Sequence, residues 1–228
     1  SAAPEALTSG LAQLERNTRG LQEAIMSIRM MPISFVFSRF PRVVRDLSSK
    51  LGKQVELKML GETTELDKGL IERIADPLTH LIRNSLDHGV EMPEQRAAVG
   101  KNPVGTITLK AAHQGGNIVI EVGDDGAGLN RQRILSKARE RGFQVSDQMP
   151  DQEVWALIFE AGFSTAEVVT DVSGRGVGMD VVRRNIQSMG GRIETASAPG
   201  QGTSFRLVLP LTTAVTQVVM LRCGERRS

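Results

Sequence analysis

His80-Leu81-Ile82-Arg83-Asn84-Ser85-Leu86-Asp87-His88-Gly89 closes an apolar pattern that begins at Leu66. Leu70, Ile74, Leu78, Leu81, Ile82 and Leu86 recur at the spacing of a helix with one buried face. His80, Asn84 and the pair Asp87/His88 fall on a polar stripe opposite that face. A solvated stripe ordinarily carries Lys, Glu or Arg, whereas His, Asn, Asp and His are suited to holding a ligand. An amide oxygen suits a hydrated magnesium that also touches phosphates, and Arg83 or His88 suits phosphoryl charge. Taken alone, Asn84 would read as a surface amide. Pro77 predicts a kink, or a split into two helices with Asp76 capping the second.

Three glycine clusters lie downstream: Asp124-Asp125-Gly126-Ala127-Gly128-Leu129 after a strand, Gly174-Arg175-Gly176-Val177-Gly178-Met179 before an amphipathic helix, and Gly200-Gln201-Gly202-Thr203 entering a strand. Glycines let backbone approach a ligand closely, and a glycine run opening a helix points amides at an anion. The same residues also serve plain turns. The second cluster follows the polar loop Thr170–Ser173 rather than a strand, so the dinucleotide fingerprint fits badly, and a lysine-bearing P-loop is missing.

Around these motifs the chain alternates strands and helices. Gln54–Leu60 alternates apolar and polar and reads as a strand. Thr106–Ala112 and Asn117–Val122 flank Gln114-Gly115-Gly116 as a hairpin. Helical patterns occupy 33–51, interrupted at Pro41, and about 131–141, 151–161 and 178–189. Arg192–Ser197 and Thr203–Leu209 form a closing pair, and Thr216–Arg222 reads as one more strand. Strands that meet through hairpins predict an α/β (α+β) two-layer sandwich with a mixed sheet. Upstream, Leu7, Leu11, Leu14, Thr18, Leu21, Ile25 and Ile28 trace a heptad seam that Pro32 ends. Its narrowness favours a partner helix over docking on its own domain.

Composition narrows the function. The chain has 228 residues, 28 basic and 26 acidic, with a net charge of +2, so it carries no nucleic-acid or membrane-surface signature. Seven Phe, one Trp and no Tyr argue against a base-stacking platform. One cysteine, Cys223, rules out an intrachain disulfide and fits the cytoplasm, and three histidines are too few for a Cys/His zinc cluster. Neither a membrane span nor a signal peptide is legible.

Asn84-x-x-Asp87-His88-Gly89, Asp124-x-Gly126-x-Gly128, Phe159–Thr165 and Gly174–Val182 resemble, in order, the N, first glycine, F and second glycine boxes of the gyrase/Hsp90/histidine-kinase/MutL (GHKL) ATP-binding superfamily. Within it, Asp76–Gly89 and Met26–Pro32 are similar to the chemotaxis histidine kinases. The resemblance implies the Bergerat fold, with 1–31 part of a dimerisation hairpin, 32–211 the catalytic domain and 212–228 the start of a truncated coupling-protein-like domain. It implies ATP and magnesium, with Asn84 the metal ligand and Asp124 the acceptor for the adenine amino group. Gly126 and Gly128 would pass under the base, Gly174, Gly176 and Gly178 would offer amides to phosphates, and Thr203 would reach adenine through water. Asp87, Phe163, Ser164, Thr165, Arg175 and Met179 complete the nucleotide set. Segment 129–173 would be a mobile lid.

Hydrolytic members carry a carboxylate four residues before the Asn. His80 stands there, so the γ-phosphoryl group would be kept for a side chain, with His80, Arg83 and His88 the catalytic candidates. The implied acceptor is a histidine on a separate phosphotransfer domain, since His80, His88 and His113 do not sit in a matching context. Implied partners are a second copy through the first helix, a coupling protein, chemoreceptors and a response regulator. A gyrase/MutL-type hydrolase and a nucleotide-gated scaffold remain the alternatives. Arg39, Arg42, Arg45, Lys50, Lys53 and Lys58 read as a solvated face, or as a docking surface for the phosphotransfer domain.

Overall fold

The computed structural model describes residues 2–163 and 178–211. A long helix, α1 (Ala2–Arg29), leads into strand β1 (Met30–Pro32), the short α2 (Ser34–Phe37) and α3 (Phe40–Leu51). Pro41 sits in the first turn of α3, where a missing N–H costs nothing. Then come β2 (Val55–Leu60), β3 (Glu65–Asp67), α4 (Lys68–Asn84), a π-turn (Ser85–Gly89) and α5 (Pro93–Ala98). The hairpin β4 (Gly105–Gln114) and β5 (Asn117–Asp124) precedes α6 (Arg131–Glu140), α7 (Asp151–Ala156) and a 3-10 turn at Leu157–Phe159. After the second described stretch begins, α8 (Met179–Ser188) is followed by β6 (Arg192–Ala198) and β7 (Gly202–Pro210).

The main sheet has the order β2-β4-β5-β7-β6, parallel only between β2 and β4. Its register alternates cleanly. Ile107 and Leu109, Ile118, Ile120 and Val122, and Phe205, Leu207 and Leu209 point into one core, while Lys110, Glu121 and Arg206 occupy the other face. The buried face packs against α2, α3, α4 and α8, giving the expected two layers. A second, smaller core of Ile134, Leu135, Ala138, Val154, Trp155 and Phe163 ties α6 to α7.

Three expectations gain detail or correction. First, α4 runs through Pro77 without splitting, and Asp67, not Asp76, caps it by accepting a hydrogen bond from the Gly69 N–H at 3.1 Å. Six buried aliphatic side chains on α4, at about 1.5–3 kcal/mol each, outweigh the ~3 kcal/mol a helix-interior proline costs. Second, 129–163, assigned to the expected lid, carries α6, α7 and an apolar core of its own; 164–173 lies outside the described residues. Third, Met30–Pro32 is not merely a break, because β1 pairs antiparallel with β3. The seam leucines Leu7, Leu11, Leu14 and Leu21 are 71%, 57%, 64% and 64% exposed, so they do not dock on this domain. The side chains of Ile25 and Ile28, the strand expected at Thr216–Arg222 and the segment 212–228 fall outside the description.

Candidate functional site

β5 ends at Asp124, where four chain segments close on one carboxylate. Asp124 Oδ1 accepts from the Gly126 N–H at 2.9 Å. Gly126 is buried, and a Cβ there would overlap the Gly89 carbonyl, which also accepts from the Ala127 N–H at 3.0 Å. On the other side Gly202, at φ +116°, leaves no room for a Cβ against the Asp124 carbonyl. Thr203, buried and paired across the sheet from Asp124, has its hydroxyl 3.0 Å from Ser197 Oγ. Burial pushes the Asp124 pKa above the ordinary carboxylate value. The Gly126 N–H, the nearby Ser85 hydroxyl and the Thr203 N–H pull it back, while Asp125 adds to the push. Ser85 Oγ is close enough to help hold that charge, yet it is buried with no hydrogen bond of good geometry. An acceptor carboxylate beside an orphaned hydroxyl fits a polar ligand.

The opposite wall is α4. Asn84 Nδ2 meets Met179 Sδ at 2.8 Å, fastening α4 to the first residue of α8 and leaving the amide oxygen for other partners. His80, one turn earlier, has its pKa lowered by burial and by the Arg83 charge, with Asp180 opposing; it is therefore neutral near pH 7. The π-turn, closed by Val90 N–H to Ser85 O at 2.8 Å, carries Asp87 and His88 to the exposed rim. Single π-turns within helices often mark functional sites. Lys53 holds the turn from behind, with Nζ 2.5 Å from Leu86 O and 2.9 Å from Asp87 O. It is thus not part of a solvated face, whereas Arg39, Arg42, Arg45, Lys50 and Lys58 are exposed.

Between these walls lies a cavity of about 750 Å³. His80, Arg83, Asn84, Asp87, His88, Asp124, Gly128, Phe163, Gly178, Met179 and Thr203 all line it. Gly126 does not, contrary to expectation: its small size serves the contact with Gly89 rather than a ligand. Ser164, Thr165, Gly174, Arg175 and Gly176 are outside the described residues. Sequence reasoning missed two cations, Arg133 and Lys137, which α6 brings to the same cavity. Lys137 lies over the Phe163 ring, 5.0 Å from its centroid. The only available signal was their i, i+4 spacing on a basic helix. Among the described residues no group of three His, Cys, Asp or Glu could hold a metal ion alone, so a cation here would rest mainly on phosphate oxygens and water, with Asn84 as the protein ligand.

A model of the histidine kinase-, DNA gyrase B- and HSP90-like ATPase family matches residues 73–213. The chain belongs to this family. It is an ATP-binding domain of the GHKL kind, and the cavity lies within the matched stretch. Over 220 residues, 96% of this chain, it is 65% identical to the chemotaxis protein CheA of Salmonella typhimurium, and over 222 residues it is 47% identical to CheA of Bacillus subtilis. It spans only 33% of each relative. The catalytic domain of histidine kinase ThkA shares the fold at 17% identity and a TM-score of 0.50, covering 80% of this chain and 95% of that one. Among the described residues no helix is long and apolar enough to cross a membrane.

Proposed function

We propose that this chain is the catalytic core of a cytoplasmic chemotaxis-type histidine kinase, residues 32–211, preceded by one arm of a dimerisation hairpin at 1–31 and followed at 212 by the start of a coupling-protein-like domain. The observation that carries it is one cavity lined by the Asp124 carboxylate, the His80 imidazole, the Asn84 amide and the cationic side chains of Arg83, Arg133 and Lys137.

Asp124 accepts from the adenine amino group, with Thr203 beside it and Gly128 and Met179 along the base. Asn84 holds the magnesium, which neutralises phosphate charge when bound. Arg83, His88, Arg133 and Lys137 meet the phosphates, Gly174, Gly176 and Gly178 offer them amides with Arg175 completing the nucleotide set, Phe163, Ser164 and Thr165 form the hinge end of the lid, and Asp87 lies at the rim. ATP supplies a γ-phosphoryl group to a histidine nitrogen on a separate phosphotransfer domain: the bond to the β-phosphate oxygen breaks, an N–P bond forms and ADP leaves. The four-residues-earlier position that would activate water as a carboxylate is His80, which is neutral and able to accept a proton. Partners in the longer protein are a second copy, the phosphotransfer domain, a coupling protein, receptors and a response regulator.

The test is transfer of labelled phosphate from ATP to an added phosphotransfer domain. Phosphohistidine should form, and release of free phosphate should stay slow. Rapid phosphate release without phosphohistidine would instead mark a hydrolase. His80→Ala should leave ATP binding intact and slow transfer on the order of a hundredfold; an unchanged rate removes His80 from the mechanism.

A further inference from the structure

Behind the Asp124 turn lies a cluster of charges outside the cavity lining. Arg96 is 2% exposed, one of the largest fully buried side chains. Its guanidinium meets Glu91 Oε1 at 2.9 Å, Asp125 Oδ2 at 3.1 Å and Asn102 O at 2.6 Å. Lys101 Nζ bonds Glu91 Oε2 at 2.8 Å and Gly126 O at 2.9 Å. Glu91 stays below the ordinary carboxylate range: burial pushes it up, but the Lys101 hydrogen bond, a backbone N–H and the two cations outweigh that. Burying ions is costly, and a well-packed apolar cluster would serve structure as well.

Both cations converge on a single peptide unit. The Asp125 carbonyl accepts from Arg96 Nη1 at 3.1 Å and Lys101 Nζ at 3.0 Å. The N–H at the far side of that same peptide is Gly126's, and it donates to Asp124 Oδ1 at 2.9 Å. Cations on a carbonyl oxygen polarise the peptide and strengthen what its N–H donates. Asp125 completes the brace, its Oδ1 accepting from the Thr106 N–H at 2.8 Å.

We propose that Arg96 and Lys101 are positioning residues for base recognition: by holding and polarising the Asp125–Gly126 peptide they keep the Asp124 carboxylate aimed and charged toward the adenine amino group. This rests on the reading of Asp124 as the base acceptor. The ionisable groups around Asp124 are Asp125 on its own turn, Asp87 and His88 on the π-turn, and Glu91, Arg96 and Lys101 behind; β7 presents the hydroxyl of Thr203.

The experiment is calorimetric titration of the whole chain with adenosine between pH 5 and 8, with folding checked by far-UV circular dichroism. Lys101→Met should weaken adenosine binding on the order of tenfold at pH 7 and move the acid-side loss of binding to higher pH. Lys101→Arg should restore both. If Lys101→Met does not fold, Lys101→Gln, which keeps a polar end, takes the same measurement. A loss of affinity with an unchanged pH profile, or no loss, overturns the inference. Asp124→Asn separates the two readings: if it still binds adenosine as wild type does, the base-acceptor reading fails and this inference with it. If it loses adenosine while Lys101→Met retains the wild-type profile, only the inference fails.

Discussion

At its Asp124 end the cavity is walled by main chain, and at its α4–α6–α8 end it is walled by side chains several bonds long. The carboxylate is gripped by the Gly126 amide and lies against Gly89, where a side chain would strike it, while Gly202 packs on the Asp124 main-chain carbonyl. Arg83, Arg133 and Lys137 instead reach in from helices, and Lys137 rests on an aromatic ring. Main-chain walls cannot change rotamer, so under the proposed function that end would select a base without reorganising. Long cationic side chains follow a phosphate chain as it moves and give it up afterwards. Under the proposed function, one end would select the base and the other would handle the group to be transferred.

The contrast can be broken most forcefully at Gly126. Gly126→Ala should cost about 3 kcal/mol or more of stability in chemical denaturation, because the Gly89 carbonyl and the Val90 amide nitrogen it would strike are main chain with no rotamer to yield. A variant as stable as wild type would show that this wall is compliant. Next, Asp124→Ala should weaken both ATP and adenosine on the order of a hundredfold by calorimetry, with a melting temperature near wild type. Lys137→Met sharpens the difference: ATP affinity should fall about tenfold while adenosine affinity stays unchanged. Equal losses for both ligands would mean the two ends are not separate.

The smallest effect is on pH. The folded Asp124 pKa is raised by burial, so its buried charge costs stability at neutral pH, and that cost is relieved as pH falls through the folded value. Adenosine binding needs the charge and should decline severalfold over the same interval. His80 runs the other way, since its folded pKa is lowered; its stabilising share is full above the ordinary imidazole value and lost on acidification. Adenosine carries no phosphates, so its titration should report chiefly Asp124 and flatten in Asp124→Asn.

Period and turn chemistry made most of this architecture legible. The Gly115-Gly116 hairpin, the alternation in Val55–Leu60 and the closing pair β6–β7 follow directly from residue pattern. The split at Pro77, one of the two expected outcomes, does not occur, because local backbone preference leaves out the six Leu and Ile side chains that α4 buries. β1 and β3, three residues each, are too short for a two-residue period to register. Within the site, the His80–Asn84–Asp87/His88 stripe was legible because its residue types are unusual for a solvated face, and Asp124 because Asp124-x-Gly126-x-Gly128 resembles the family's first glycine box. Arg133 and Lys137 were not, because a basic residue on a polar helix looks the same whether it faces water or a phosphate. Gly126 was assigned to the ligand when another piece of backbone occupies the space.

One junction carries a mechanical consequence. Where α1 ends, Arg29 Nε lies 3.4 Å from Asp67 Oδ1, β1 is zipped to β3, and Asp67 in turn caps α4. A rod of 28 residues, about 42 Å at helical rise, is therefore riveted to the first turn of the helix that ends at Asn84. Torque on the rod meets that rivet before anything softer, so a twist at the far tip reaches the root of α4 with little slack to absorb it.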